Sequence, residues 1–217
     1  MTDSRRRFLS RAAGAGIVAL FADRLRADAE EPFDSVPERI WKNQRRNGLI
    51  MIRRPAPASR QLSWSTRITN NEEPGEALTV AGRVFAPDGT TPAAGVTVYA
   101  YNTDAKGYYD SSNHGDFPFP PRIYGWMKTD AGGRFELLTV RPGCYPNMRV
   151  PAHIHFCAWG AGYPLQWVDD LRFEGDSFLT PEMIRESVAL GEFATIRPVV
   201  DGRCEFKIRL GSEMNFV

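Results

Sequence analysis

From residue 76 the chain reads as short apolar runs, the first alternating with polar positions at a period of two, separated by turn residues at short intervals. From Leu78 to Phe85 the order Leu-Thr-Val-Ala-Gly-Arg-Val-Phe suits a half-buried strand, because successive side chains in a strand point to opposite faces. Pro87-Asp88-Gly89-Thr90 is turn chemistry, and Val96 to Tyr101 reads as a second strand of branched and aromatic residues. Residues 134–140, 152–159, 167–173 and 204–210 supply four more strands, and a further one is expected near 62–69. Thr180-Pro181-Glu182-Met183 opens a short helix to about Leu190, with Thr180 as N-cap and Pro181 at the first helical position. Short strands joined by turn-rich links predict an all-β fold, an antiparallel β-sandwich with one short helix.

The sandwich is expected to occupy residues 75–217. Residues 30–74 read as an N-terminal arm wrapping the domain or a partner subunit, which leaves a homo-oligomer open. Within the arm, Pro37 to Asn43 fits a short helix, and Arg53-Arg54-Pro55-Ala56-Pro57 breaks any regular element. Residues 1–29 have another character. Ser4-Arg5-Arg6-Arg7-Phe8-Leu9 precedes an apolar run from Ala12 to Phe21 and then Ala27-Asp28-Ala29, the order of a signal peptide with its cleavage site. The arginines before Phe8-Leu9 are similar to a twin-arginine export signal, which implies a periplasmic or secreted protein. The apolar run is too short to span a bilayer.

At 217 residues, with 42% hydrophobic and 12% aromatic content, the chain suits one globular domain and excludes a disordered one. Its 27 basic and 26 acidic residues give no sign of a nucleic-acid surface, and no membrane partner is expected once the signal is removed. Three cysteines, Cys144, Cys157 and Cys204, leave at least one thiol unpaired; small buried hydrophobes are the favoured reading.

The chemistry concentrates between Arg141 and Trp159. His153-Ile154-His155 lies in an apolar stretch that favours a strand, so both imidazoles share one face about 7 Å apart. Such a pair serves either as a hydrogen-bonded surface pair or as two ligands of one metal. Tyr145 leads in from a Pro-Gly-x-Tyr-Pro turn, and Gly107-Tyr108-Tyr109 lies further upstream. The loop from Asp110 to Arg122 is long and holds three prolines before its final arginine, and it is expected to wall the mouth of the site.

In order and spacing these segments resemble the intradiol ring-cleaving dioxygenases. The matching stretches are Gly107-Tyr108-Tyr109, Thr129 to Phe135, Pro142 to Pro146, Pro151 to Phe156, and Phe173-Glu174-Gly175-Asp176, so the resemblance covers roughly residues 75 to 180. It implies a transthyretin-like sandwich topology and a non-haem Fe(III) held by Tyr109, Tyr145, His153 and His155. Two phenolates and two imidazoles form a hard anionic set suited to a trivalent ion. The resemblance further implies that a small aromatic diol and O2 are the substrates, and that Tyr145 leaves the metal as a base when the diol binds. The four residues are expected to converge on the inner side of the sandwich mouth.

Two positions depart from the family pattern. Val150 stands where the family has an arginine, with Arg149 one residue earlier, and Asp170 stands where the family tends to have glutamine. Arg149 and Arg122 are the candidate replacements for the missing catalytic cation. The competing reading is a secreted binding module without catalysis, because residues 80–101 also resemble transthyretin-like modules.

Overall fold

The computed structural model describes residues 62–110 and 121–213. The expected signal peptide, most of the arm with the short helix expected in it, and residues 111–120 of the long loop lie outside the described residues. Among the described residues, nine strands and one α-helix follow in the order β1 (Ser65–Arg67), β2 (Ala77–Phe85), β3 (Thr97–Asn102), β4 (Ile123–Lys128), β5 (Arg134–Val140), β6 (His153–Gly160), β7 (Tyr163–Phe173), α1 (Pro181–Ala189), β8 (Ile196–Arg197) and β9 (Arg203–Arg209). They form a four-stranded sheet ordered β1-β5-β2-β9 and a five-stranded sheet ordered β4-β3-β6-β7-β8. The expected all-β sandwich is borne out.

The sheets meet through alternating side chains. Val80 and Val84 of β2, Phe135 and Leu137 of β5, and Phe206 and Ile208 of β9 pack against Val98 and Ala100 of β3 and Ile154 and Phe156 of β6. Phe156 anchors this seam, with ring centroids 6.0 Å from Phe135 and 5.3 Å from Phe206. The opposite face of the five-stranded sheet carries a second buried cluster of Tyr99, Tyr101, Trp126, Cys157, Trp159 and Leu165. Strand β3 is therefore buried at every position, and β6 at all but its last. All three cysteines are free, as small packing groups.

Several features differ from the reading of local pattern. Strand β4 escaped it because Gly125 interrupts the apolar run, and a Cβ there would lie 2.2 Å from Ile68 Cγ2. Strand β7 begins at Tyr163, four residues earlier than expected, and two-residue β8 is too short for a period. The pairs β1–β5, β2–β9 and β7–β8 run parallel, although the extensive pairings β2–β5, β3–β6 and β6–β7 are antiparallel. Helix α1 keeps its expected cap: Thr180 Oγ1 accepts from the Met183 amide at 3.2 Å. Its buried Ser187 accepts from the amides of Thr195 and Ile196, tying the helix to β8.

Gly82 faces the core opposite Phe135, whose ring occupies the place of a side chain: a Cβ would stand 2.0 Å from Phe135 Cζ. Gly82→Ala should destabilise the fold by about 1–3 kcal/mol through overpacking. A urea midpoint equal to that of the parent protein would refute this account of the packing.

Candidate metal centre

The parity of β6 decides where its histidines point. Ile154 and Phe156 face the other sheet, so His153 and His155 project from the outer face of the five-stranded sheet, beside the aromatic cluster. The inner side of the mouth, where the site was expected, is taken by the apolar core. Both imidazoles are nevertheless buried, at 8% and 6% exposure.

Each ring is fixed through Nδ1. His153 Nδ1 is 2.7 Å from the Pro151 carbonyl, which can only accept, so this nitrogen carries the proton. His155 Nδ1 is 2.7 Å from Asp170 Oδ1 and donates to it. In the neutral form of each ring Nε2 is then the lone pair, and the two Nε2 atoms face each other at 3.0 Å. Asp170 reaches His155 because the β6–β7 register shifts between Ile154 and Phe156, where β7 holds one residue more than β6. Such a bulge re-aims a side chain that regular pairing would place elsewhere. Tyr101 stacks on His155 with centroids 4.5 Å apart and holds the ring from its other side.

The two tyrosines come from loops stitched together through their backbones. Asp104 Oδ1 accepts from the amides of Lys106 and Tyr108, which shapes the turn leading to Tyr109. The Asp104 carbonyl accepts from Gly143 N at 2.8 Å, and Thr103 Oγ1 donates to the Gly143 carbonyl at 2.9 Å, docking the Tyr145 loop alongside. Gly107 sits at the closest approach. Its φ is +89°, and a Cβ would lie 1.9 Å from the Cys144 carbonyl oxygen, so only glycine fits. Asp176 of the Phe-Glu-Gly-Asp stretch holds the other side, its Oδ2 accepting from Ala152 N at 2.9 Å and lying 3.4 Å from Cys144 Sγ.

These constraints bring four donor atoms together. Tyr145 Oη is 2.6 Å from Tyr109 Oη, 3.0 Å from His153 Nε2 and 3.4 Å from His155 Nε2, and Tyr109 Oη is 3.0 Å from His155 Nε2. The two hydroxyl protons can bridge at most two of these approaches. Burial, followed by the neighbouring His155, lowers the His153 pKa to about 4, so that ring brings no extra proton at neutral pH. Burial also raises both phenols well above their ordinary range while no cation is present. A cation supplies what the protons cannot, and it would ionise the phenols as a metal ionises a coordinating thiol. Atoms bound about 2 Å from one ion stand about 3 Å from each other. The spacing, the neutral Nε2 lone pairs and the Nδ1 acceptors all fit a metal centre. Asp170 offers an alternative third ligand, within 4.8 Å of the histidine donors. Its engagement with His155 Nδ1 favours the tyrosine-containing set.

The two arginines expected as catalytic cations have other partners. Arg122 pairs both terminal nitrogens with Glu73, contacts Asp104 at 3.4 Å, and donates its backbone amide to the Tyr109 carbonyl at 2.8 Å. It staples the Tyr109 loop. Arg149 is exposed, with its guanidinium 5.7 Å from the centre of the Phe178 ring. The structure brings neither to the four-atom cluster. Sequence reasoning gave no role to Asp104 or Asp176, although an aspartate at the head of a turn is a recognisable signal. Tyr101 carried no such signal.

Comparison with known proteins follows the same lines. A family model described as dioxygenase matches residues 54–207. The beta chain of protocatechuate 3,4-dioxygenase from Burkholderia cepacia is 33% identical over 135 residues, covering 55% of this chain and 57% of that protein. Catechol 1,2-dioxygenase 1 from Acinetobacter lwoffii is 30% identical over 103 residues, covering 40% of this chain and 33% of that protein. The matches thus span about half or less of these curated relatives. Among solved structures, the dioxygenase domain of a dioxygenase carbohydrate-binding protein fusion from Streptomyces sp. SirexAA-E superposes with a TM-score of 0.51 at 27% identity, covering 75% of this chain and 97% of that one. The intradiol ring-cleavage dioxygenase from Tetranychus urticae gives a TM-score of 0.52 at 17% identity over 73% of this chain and 92% of that one, a likeness of fold.

Two outcomes are expected. Gly107→Ala should force the tyrosine loops apart, costing about 1–3 kcal/mol of strain and impairing metal uptake; unchanged metal affinity would contradict the close-approach account. The metal-free protein should also lose stability in acid. His153 protonates near 6.5 when unfolded but only near pH 4 when folded, so between these values the unfolded chain binds more protons. Its contribution, no more than about 3 kcal/mol, is complete above pH 6.5 and fades as pH falls towards 4. Urea midpoints measured across that window, with His153→Gln as control, test this; an identical pH dependence in the variant would reject it.

Proposed function

Since the chain belongs to the intradiol dioxygenase family, we propose that it is a non-haem Fe(III) enzyme that inserts both atoms of O2 into a small catechol-type aromatic and opens the ring between the hydroxylated carbons. The observation carrying this reading is the convergence of Tyr109, Tyr145, His153 and His155 with too few protons for their mutual approaches. Two phenolate oxygens match a trivalent iron better than magnesium, calcium or a thiolate-seeking ion. The names of the curated relatives, which act on protocatechuate and catechol, support an aromatic diol as substrate.

Bound Fe(III) would supply Lewis-acid activation of the diol towards O2. The remaining work falls to the chain's own side chains. His153 and His155 are held by Pro151 and Asp170, so their Nε2 atoms keep direction while the substrate enters. Tyr145 comes from a turn, not a strand, and its oxygen lies within hydrogen-bond range of Tyr109 and His153. Its phenolate is proposed as the base that takes a proton from the diol. Tyr109 stays in place, its loop stapled by Arg122 and Asp104. A secreted binding module without catalysis has no use for this donor set.

Iron-loaded protein should be red from phenolate-to-Fe(III) charge transfer and should consume O2 with catechols, yielding a ring-opened diacid. Tyr145→Phe should lower turnover by about 10²–10⁴ and weaken the colour. A protein that takes up Fe(III) without colour, or remains coloured but consumes no O2 with any catechol, would overturn the assignment.

A further inference from the structure

Asp170 and Arg172 form a charged pair directly behind the donor cluster. Asp170 Oδ1 accepts from His155 Nδ1 at 2.7 Å, and its Oδ2 lies 3.9 Å from Arg172 Nη2. Arg172 is the strand partner of His153 across β6–β7, so both ends of the pair stand beside the two imidazoles. The Asp170 side chain is only 20% exposed, and that of Arg172 27%. The β7 bulge exists at the position that delivers Asp170 to His155, whereas a fold needing only a rotamer lock could use a neutral backbone acceptor, as His153 does with Pro151.

Building on the Fe(III) reading above, we propose that Asp170 is a positioning residue whose negative charge, relayed through His155 and tempered by Arg172, sets how strongly the centre favours Fe(III) over Fe(II). A carboxylate hydrogen-bonded to the distal nitrogen of a ligating imidazole makes its lone pair a better donor. More donation stabilises the higher oxidation state and raises the energy of charge transfer from phenolate to iron. Arg172 acts in the opposite sense, because its positive charge offsets the carboxylate and lies close to His153. The pair thus has two antagonistic members, which gives it a signature that shape alone would not produce.

The test compares iron-loaded wild-type, Asp170→Asn and Arg172→Gln proteins by visible spectrum, Fe(III)/Fe(II) midpoint potential and retention of Fe(III) against a chelator. Asn keeps an acceptor for His155 while removing the charge. Asp170→Asn is expected to move the band to longer wavelength, raise the potential and weaken iron retention about 10- to 100-fold. Arg172→Gln should move the band and the potential the other way, and it carries the test alone should Asp170→Asn fail to fold. The proposal is overturned if Asp170→Asn keeps the wild-type band and potential, whatever its affinity, or if Arg172→Gln shifts them in the Asp170→Asn direction or not at all. Wild-type protein without any phenolate charge-transfer band would remove the Fe(III) reading and this inference together. A normal wild-type band with unresponsive variants removes the inference alone.

Discussion

Strand β6 has almost no face to spare for solvent. Its even-numbered residues Ile154, Phe156 and Ala158 complete the apolar seam between the sheets, while His153 and His155 meet two tyrosines on the other side. Seven of its eight residues are buried. A shift of register by one residue would put imidazoles into the seam and Ile154 and Phe156 against the phenols. The burial of Phe156 between Phe135 and Phe206 therefore also fixes the direction of the histidines. The core and the candidate metal centre constrain each other through a single strand.

The tyrosines need a different kind of constraint, because loops have no pleat to aim their side chains. Here the aim comes from backbone amides gathered by carboxylates. Asp104 organises the Tyr109 turn and Asp176 ties the Tyr145 turn to the start of β6. Each such hydrogen bond to a carboxylate contributes about 1.5–3 kcal/mol net, so precision arises from their number and from Gly107, where no other residue fits against Cys144. Arg122 joins this framework through Glu73, whose side chain is only 4% exposed. Removing Arg122, itself only part-buried, would leave the buried Glu73 carboxylate without its counter-charge, and for this reason Arg122 belongs to the scaffold of the site.

Val150 and Asp170, the two positions where the resemblance led to another residue being expected, gain meaning in this setting. Val150 supplies no cation beside His153, and the Arg149 guanidinium next to it lies 5.7 Å from the centre of the Phe178 ring. Asp170 places a negative charge behind His155, with Arg172 close by. The charges nearest the two histidines are thus those of Asp170 and Arg172.

Periodicity and turn residues determined much of this protein within the sequence. Alternation marked β2; apolar, branched and aromatic runs marked β3, β5, β6, most of β7 and β9; Thr180-Pro181 marked the helix start; and the His-x-His spacing put both imidazoles on one face. These are local properties, set by the two-residue period of a strand and the geometry of a turn. The spacing could not say which face of the sheet would be core, since both sides of β6 are apolar enough to be buried, and the second sheet alone decides that. Parallel pairings, the recruitment of Asp170 by a bulge, the stacking of Tyr101 on His155 and the capture of Arg122 by Glu73 are likewise contacts between distant segments. No residue's own neighbours in the chain encode them, and they come into being only when the strands assemble into sheets.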